Sequence, residues 1–133
     1  MKLPTKVRYA VRAVVELAGR ETEDPVPVSS LAKAQGISSK YGKQLLNRLK
    51  RAGIVKGYPG VHGGYTLNRE PDHISLYDIY NALEESFDLA PCVKPRSGCK
   101  REDICTAKSV WVELRHLLEK ELRSITIEDL VKH

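Results

Sequence analysis

The sequence predicts a mostly α fold with one small β-hairpin, and three observations lead there. Two short helical stretches meet at a tight turn around Gly36; a Gly-rich hairpin pattern follows the second at once; and a long amphipathic stretch lies near the C-terminus. With 133 residues, 41% of them hydrophobic and 29% charged, the chain can bury a core of ordinary size without disulfide staples.

The elements follow in order. Thr5 to about Gly19 reads as a helix whose polar residues Arg8, Arg12 and Glu16 recur every fourth position, with Tyr9, Ala10, Val11, Ala13, Val14, Val15, Leu17 and Ala18 between them. So narrow a polar stripe predicts burial on more than one side, such as core plus a partner subunit. Residues 21–27 read as a turn-rich connector. Ser29 or Ser30 is expected to cap a short helix over 31–35 that Gly36 closes. Ser38 or Ser39 then caps a helix running to about Ala52, closed by Gly53. On that helix Ile37, Tyr41, Leu45, Leu49 and Ala52 share one face, and Lys40, Lys43, Gln44, Asn47 and Arg51 the opposite one. A basic, amide-bearing ridge of that spacing suits a DNA major groove.

Strands are expected over 54–58 and 65–67, joined by Pro59-Gly-Val-His-Gly-Gly. A hairpin directly after such a helix makes the whole a winged helix-turn-helix, the hairpin tip being free to lie along phosphates. Tyr41, Tyr58 and Tyr65 read as packing residues. Ser75 caps a helix over 76–83, residues 86–104 read as irregular, and a long helix runs from about Cys105 to Arg123 with Val110, Trp111, Leu114, Leu117, Leu118 and Leu122. Its wide apolar face predicts a dimerisation helix packed on its two-fold mate. Thr126 caps a last short helix. Residues 1–70 are thus expected to form the winged helix-turn-helix DNA-binding region. Residues 71–133 are expected to hold the cysteine loop and the dimerisation helices, in one compact domain overall.

Charge sharpens the functional reading. Residues 1–70 carry 13 Lys/Arg against 5 Asp/Glu, a net +8, whereas residues 71–133 carry 9 against 12, a net −3. Between Pro25 and Arg69 stand eight basic residues and no acid: Lys33, Lys40, Lys43, Arg48, Lys50, Arg51, Lys56 and Arg69. Such a surface favours a polyanion through phosphate neutralisation and counterion release. The expected partners are double-stranded DNA and a second copy of the chain. The residues expected on DNA are Thr5 and Lys6 at the start of the first helix, Ser39, Lys40, Lys43, Gln44, Asn47 and Arg51 on the second helix of the motif, and Gly60 and His62 at the hairpin tip. No stretch approaches the ~18 apolar residues of a membrane span, and the opening residues lack the apolar run of a secretion signal. A cytoplasmic location with no membrane partner is therefore expected. A Gly-rich phosphate loop, a nucleophile motif and a metal-ligand helix are all missing, so no enzymatic activity is expected.

Cys92, Cys99 and Cys105 fall within 14 residues, beside Lys94, Arg96, Lys100 and Arg101. Thiolates suit an iron–sulfur cluster or zinc, and basic neighbours offset their charge. Three buried thiols without metal, or a thiol oxidation switch, are the competing readings. A complete cluster needs a fourth ligand, and Lys108, three residues beyond Cys105, is a poor one while protonated. His62, His73, His116 and His133 remain as surface or core histidines in the simplest reading.

The chain resembles the Rrf-two (Rrf2) family of winged-helix transcription regulators, the IscR, NsrR and CymR group. The resemblance rests on the opening Lys2-Leu-Pro-Thr-Lys-Val-Arg-Tyr-Ala, on Ile37-Ser-Ser-Lys-Tyr-Gly-Lys-Gln-Leu-Leu with Ala52-Gly-Ile-Val, and on Gly63-Gly-Tyr-Thr-Leu. It continues through Ile74-Ser-Leu-Tyr-Asp-Ile, the three cysteines, Trp111 and Ser124-Ile-Thr-Ile-Glu-Asp-Leu. It implies a dimeric repressor or activator whose DNA affinity responds to a two-iron or four-iron cluster held by Cys92, Cys99 and Cys105, or in some members to another signal. The departures are specific: Lys108 stands where IscR-like members place a ligating histidine, and Arg8 where NsrR-like members place an acidic ligand. Pro59 replaces a frequent wing arginine. Lys43 stands where some relatives have an acid, Lys40 replaces a small polar residue, and Gln44 matches a base-reading glutamine. The expected function is a DNA-binding regulator sensing iron–sulfur or redox status. The alternative within the family is a cluster-free regulator answering to a metabolite, partner protein or thiol oxidation. An iron–sulfur carrier or metalloenzyme is the reading from another class.

Overall fold

The computed structural model describes residues 3–20, 22–84 and 107–132. In chain order it contains α1 (Thr5–Ala18), α2 (Val28–Gln35), α3 (Ser39–Arg51), β1 (Val55–Tyr58), β2 (Gly64–Leu67), a 3-10 turn (Pro71–His73), α4 (Leu76–Leu83), α5 (Lys108–Ser124) and α6 (Ile127–Val131). Among the described residues no helix is long and apolar enough to cross a membrane.

α1 runs through the middle of the fold. Val7, Ala10, Val14 and Leu17 are buried against Leu31 of α2, Leu45, Leu46 and Leu49 of α3, Ile79 and Leu83 of α4, and Ile127 of α6. Each fully buried Leu or Ile stabilises the fold by roughly 1.5–3 kcal/mol relative to leaving it exposed. The narrow polar stripe of α1 thus has a cause within one chain, because α2, α3, α4, α6 and β2 all pack around it. Val11 and Val15 stay half-buried over a groove of about 600 Å³ that Leu130 and Val131 of α6 help to line.

The helix-turn-helix forms as its caps dictate at three of four ends. Gly36 closes α2 in the left-handed region (φ 68°), and the Ser38 hydroxyl accepts the Tyr41 N–H at 3.1 Å to start α3. After α3, Gly53 turns the chain at φ 78°. The start of α2 corrects the sequence reading. α2 begins at Val28 with Pro27 at its N-cap, and Ser29 and Ser30 lie inside the first turn instead of capping it. Proline pre-sets the entry angle without needing a hydroxyl cap.

β1 and β2 pair antiparallel with Val55 opposite Leu67 and Tyr58 opposite Gly64. The connector contributes a third short run: Val26 donates to the Tyr65 carbonyl at 3.0 Å and accepts from the Tyr65 N–H at 2.9 Å. This backbone approach explains Gly64, and the tightness of the hairpin turn itself explains Gly63. A Cβ on Gly63 would overlap the Tyr58 carbonyl oxygen, and one on Gly64 the Val26 carbonyl.

Ser75 and Thr126 begin α4 and α6, each with a reciprocal capping box, to Asp78 and Asp129 respectively. The two starts lie side by side, since Leu76 donates to the Ile125 carbonyl and Ile127 to the Ile74 carbonyl, both at 2.9 Å. α5 packs mainly on α4, where the Arg123 guanidinium covers the Tyr77 ring at 3.9 Å. Arg123 donates from Nε and Nη2 to the Glu119 carboxylate, and that bond, with the Tyr77 side chain, raises its pKa above the ordinary arginine value.

Candidate nucleic-acid interface

α3 lies on the surface with its polar ridge outward: Lys40, Lys43, Gln44, Lys50 and Arg51 are exposed, while Gly42, Leu45, Leu46 and Leu49 are buried. The hairpin stands beside it as a wing. Between the two lies an open groove of about 850 Å³. Ser39, Lys40, Lys43, Asn47 and Lys50 form its helix wall, and the wing residues from Gly57 to Val61 and from Gly63 to Tyr65 form its wing wall. At about 100° per residue, Lys43, Asn47 and Lys50 lean toward the wing, while Gln44 and Arg51 stand on the far flank of the ridge. Among the described residues no acid lines the groove. The three lysines therefore set its potential, and the start of α3 adds the positive end of a helix dipole beside Ser39.

The expected site residues divide into three groups. Ser39, Lys40, Lys43, Asn47 and Gly60 are brought together on the groove. Gln44, Arg51 and the wing-tip His62 are exposed on the same side of the motif but outside the groove walls. Thr5 and Lys6 lie at the start of α1, away from the groove and engaged locally. The Thr5 hydroxyl accepts from the Arg8 guanidinium at 3.2 Å, and the Lys6 ammonium pairs with Glu84 at 3.2 Å.

Asn47 does more than face outward. Its Oδ1 accepts the Tyr65 hydroxyl at 3.2 Å, tying α3 to the wing. Tyr65 packs as expected at 8% exposure, but Tyr58 does not: it is 45% exposed on the groove wall, since β1 turns it away from the core. Lys50 was missed by the sequence reading although its spacing from Lys43 and Asn47 continues their row. Val61, 95% exposed at the wing tip, was also missed, because an apolar residue in a turn has no periodicity to betray its direction.

The expected metal residues Cys92, Cys99 and Cys105 lie outside the described residues, as does His133. Lys108 is the first residue of α5, and His116 is exposed on that helix. Among the described residues no group of three or more His, Cys, Asp or Glu could hold a metal.

A tight helix-turn-helix whose second helix carries an exposed basic ridge, with a hairpin wing closing a groove beside it, defines a winged-helix, DNA-binding transcription regulator. The family model for Rrf2, described as iron-dependent transcriptional regulator, matches residues 3–133. The chain belongs to the Rrf2 family of transcriptional regulators. It is 37% identical over 133 residues to the HTH-type transcriptional regulator IscR of Xenorhabdus nematophila, covering all of this chain and 80% of that one. Among solved structures it resembles CymR, the global cysteine regulator of B. subtilis, with a TM-score of 0.80, 34% identity, and 99% and 97% of the two chains covered. It also resembles T. potens IscR, with a TM-score of 0.78, 38% identity, and 99% and 87% covered.

Proposed function

We propose that this regulator works in the cytoplasm as a homodimer without catalytic activity. Each copy sets α3 in a major groove with its wing along the neighbouring backbone, and DNA affinity follows the state of Cys92, Cys99 and Cys105. Residues 1–70 carry the DNA contacts and residues 71–133 the cysteines and the dimer helix. The observation that carries the dimer is α5. None of its 17 residues is buried, and Val110, Trp111, Leu114 and Leu117 stand 49%, 39%, 40% and 56% exposed. A second copy covering that face would remove it from water and fix the distance between the two α3 helices. That distance must match half-sites one helical turn (~34 Å) or a multiple apart.

Three thiolates beside four basic residues form a donor set suited to an iron–sulfur cluster, and the family description and the IscR relatives support the same choice. When bound, such a cluster supplies a tie between the cysteines that iron supply, oxidants or nitric oxide can undo. Cys92, Cys99 and Cys105 would ligate it from the segment immediately before α5. Lys108 opens α5 as a cation, so the fourth ligand comes from elsewhere or from a small molecule.

A second reading keeps the DNA binding and the dimer, with direct thiol oxidation or a small effector as the signal. It is favoured by Lys108 and Arg8, which occupy the two positions where cluster-binding relatives place their fourth ligands, and by the likeness to CymR. The deciding experiment is purification without oxygen, followed by a visible spectrum and iron and sulfide analysis, beside Cys92→Ala. A brown protein bleached by the substitution supports the cluster. A colourless, iron-free protein after reconstitution sinks it and leaves the thiol reading.

A further inference from the structure

The acid-free run of eight basic residues invites the view that all of them serve DNA. Two do not point that way. Arg48 sits on α3 about 80° around the helix from Lys40, off the ridge and toward α4. Its Nη1 donates to the Leu83 carbonyl at 2.7 Å, across 35 residues of sequence. Arg48 is exposed, yet the bond ends on the last residue of α4, where helix geometry makes carbonyls available to outside donors. Arg69, just beyond β2, holds the other end. Its Nη2 donates to the Ala52 carbonyl at 3.1 Å, where α3 finishes, and its Nη1 lies 3.7 Å from Asp78 in the first turn of α4. Both arginines therefore bridge α3 and α4, and each places a cation at a helix C-terminus, where the dipole favours it.

We infer that Arg48 and Arg69 are positioning residues that tie the recognition helix to the two ends of α4, and that neither neutralises DNA phosphate. The physical need is evident from the packing. Leu45, Leu46 and Leu49 hold α3 against the core but resist sliding and tilting weakly, because apolar contacts are not directional. A charge-assisted bond at 2.7 Å fixes direction as well as distance. Reading base edges needs that direction, whereas attraction to phosphate does not. The inference requires only that the protein binds DNA and is independent of the chemistry of the cysteines.

The test uses the full chain and two probes. One is a duplex selected from a random-sequence pool by the wild-type protein, and the other an unselected mixed-sequence duplex of equal length. Arg48→Ala is expected to weaken binding to the selected duplex about tenfold. It should leave the unselected duplex and the slope of log affinity against log salt unchanged. Lys43→Ala, on the groove, is the contrast: it should shrink that slope by about 0.9 and weaken both duplexes alike. Arg69→Ala should follow Arg48→Ala with a smaller loss, since its carboxylate partner is more distant. If Arg48→Ala does not fold, Arg48→Lys keeps the charge on a shorter, single-headed arm and should still lose selected-duplex affinity. A slope reduced by about 0.9 in Arg48→Ala overturns the inference. So does wild-type affinity for the selected duplex in Arg48→Ala, or in Arg48→Lys where that variant stands in.

Discussion

α3 and α5 are both amphipathic helices, of 13 and 17 residues, and they dispose of their apolar faces in opposite ways. α3 buries Leu45, Leu46 and Leu49 at 4% exposure or less inside its own chain, and turns a basic ridge to solvent. α5 buries nothing fully and leaves Val110, Trp111, Leu114 and Leu117 in water. The difference separates two kinds of surface. A helix whose apolar face is satisfied at home can offer its polar face to a polyanion. A helix whose apolar face is unsatisfied needs a partner to cover it. Within one copy, α3 has its apolar face covered and α5 does not.

Mutations can break that contrast or sharpen it. The largest effect is expected for Leu49→Ala, which empties a fully buried site and should cost about 2–5 kcal/mol in chemical denaturation. Equal stability in that variant would mean that α3 is not anchored as described. Next comes Leu117→Arg at the most exposed apolar position of α5. Sedimentation should move to the monomer and the melting temperature should lose its dependence on concentration, with little change in helix content. An unaltered dimer would place the interface elsewhere. Capping comes third: Ser75→Ala removes half of a capping box and should cost about 1 kcal/mol, read from the same denaturation curves. The smallest effect is expected for Tyr65→Phe, which deletes the bond to Asn47 and keeps the ring. Stability should fall by about 0.5–1.5 kcal/mol, and hydrogen exchange in β2 should quicken. Unchanged exchange would show that the wing is held by backbone pairing alone.

Much of the fold was legible because its signals are local. Ser38, Ser75 and Thr126 cap their helices through hydroxyls three residues from the N–H they satisfy, and Gly36 adopts the backbone that ends α2. The ridge of α3 follows from a 3.6-residue repeat alone. The start of α2 was misread because two serines inside a first turn look like caps to a reader without coordinates. The pairing of Val26 with Tyr65 was invisible for a different reason: a one-residue bridge spanning 39 positions leaves no pattern in either segment.

The candidate site divides along the same line. Sequence by itself determined that this is a mostly helical winged-helix chain with a basic reading half, acid-free between Pro25 and Arg69, a cysteine-bearing acidic half and a long amphipathic helix near its end. Those properties reside in residue type and short-range spacing, which no tertiary arrangement can alter. Only the tertiary structure decided which cations face outward. Lys50 joins the groove, Lys6 pairs with Glu84, and Arg48 and Arg69 turn to carbonyls of α4 and α3. The physical reason is that a charge has a sign in the sequence but acquires a partner only in space. That partner can stand 35 or more residues away, where periodicity and capping have nothing to say.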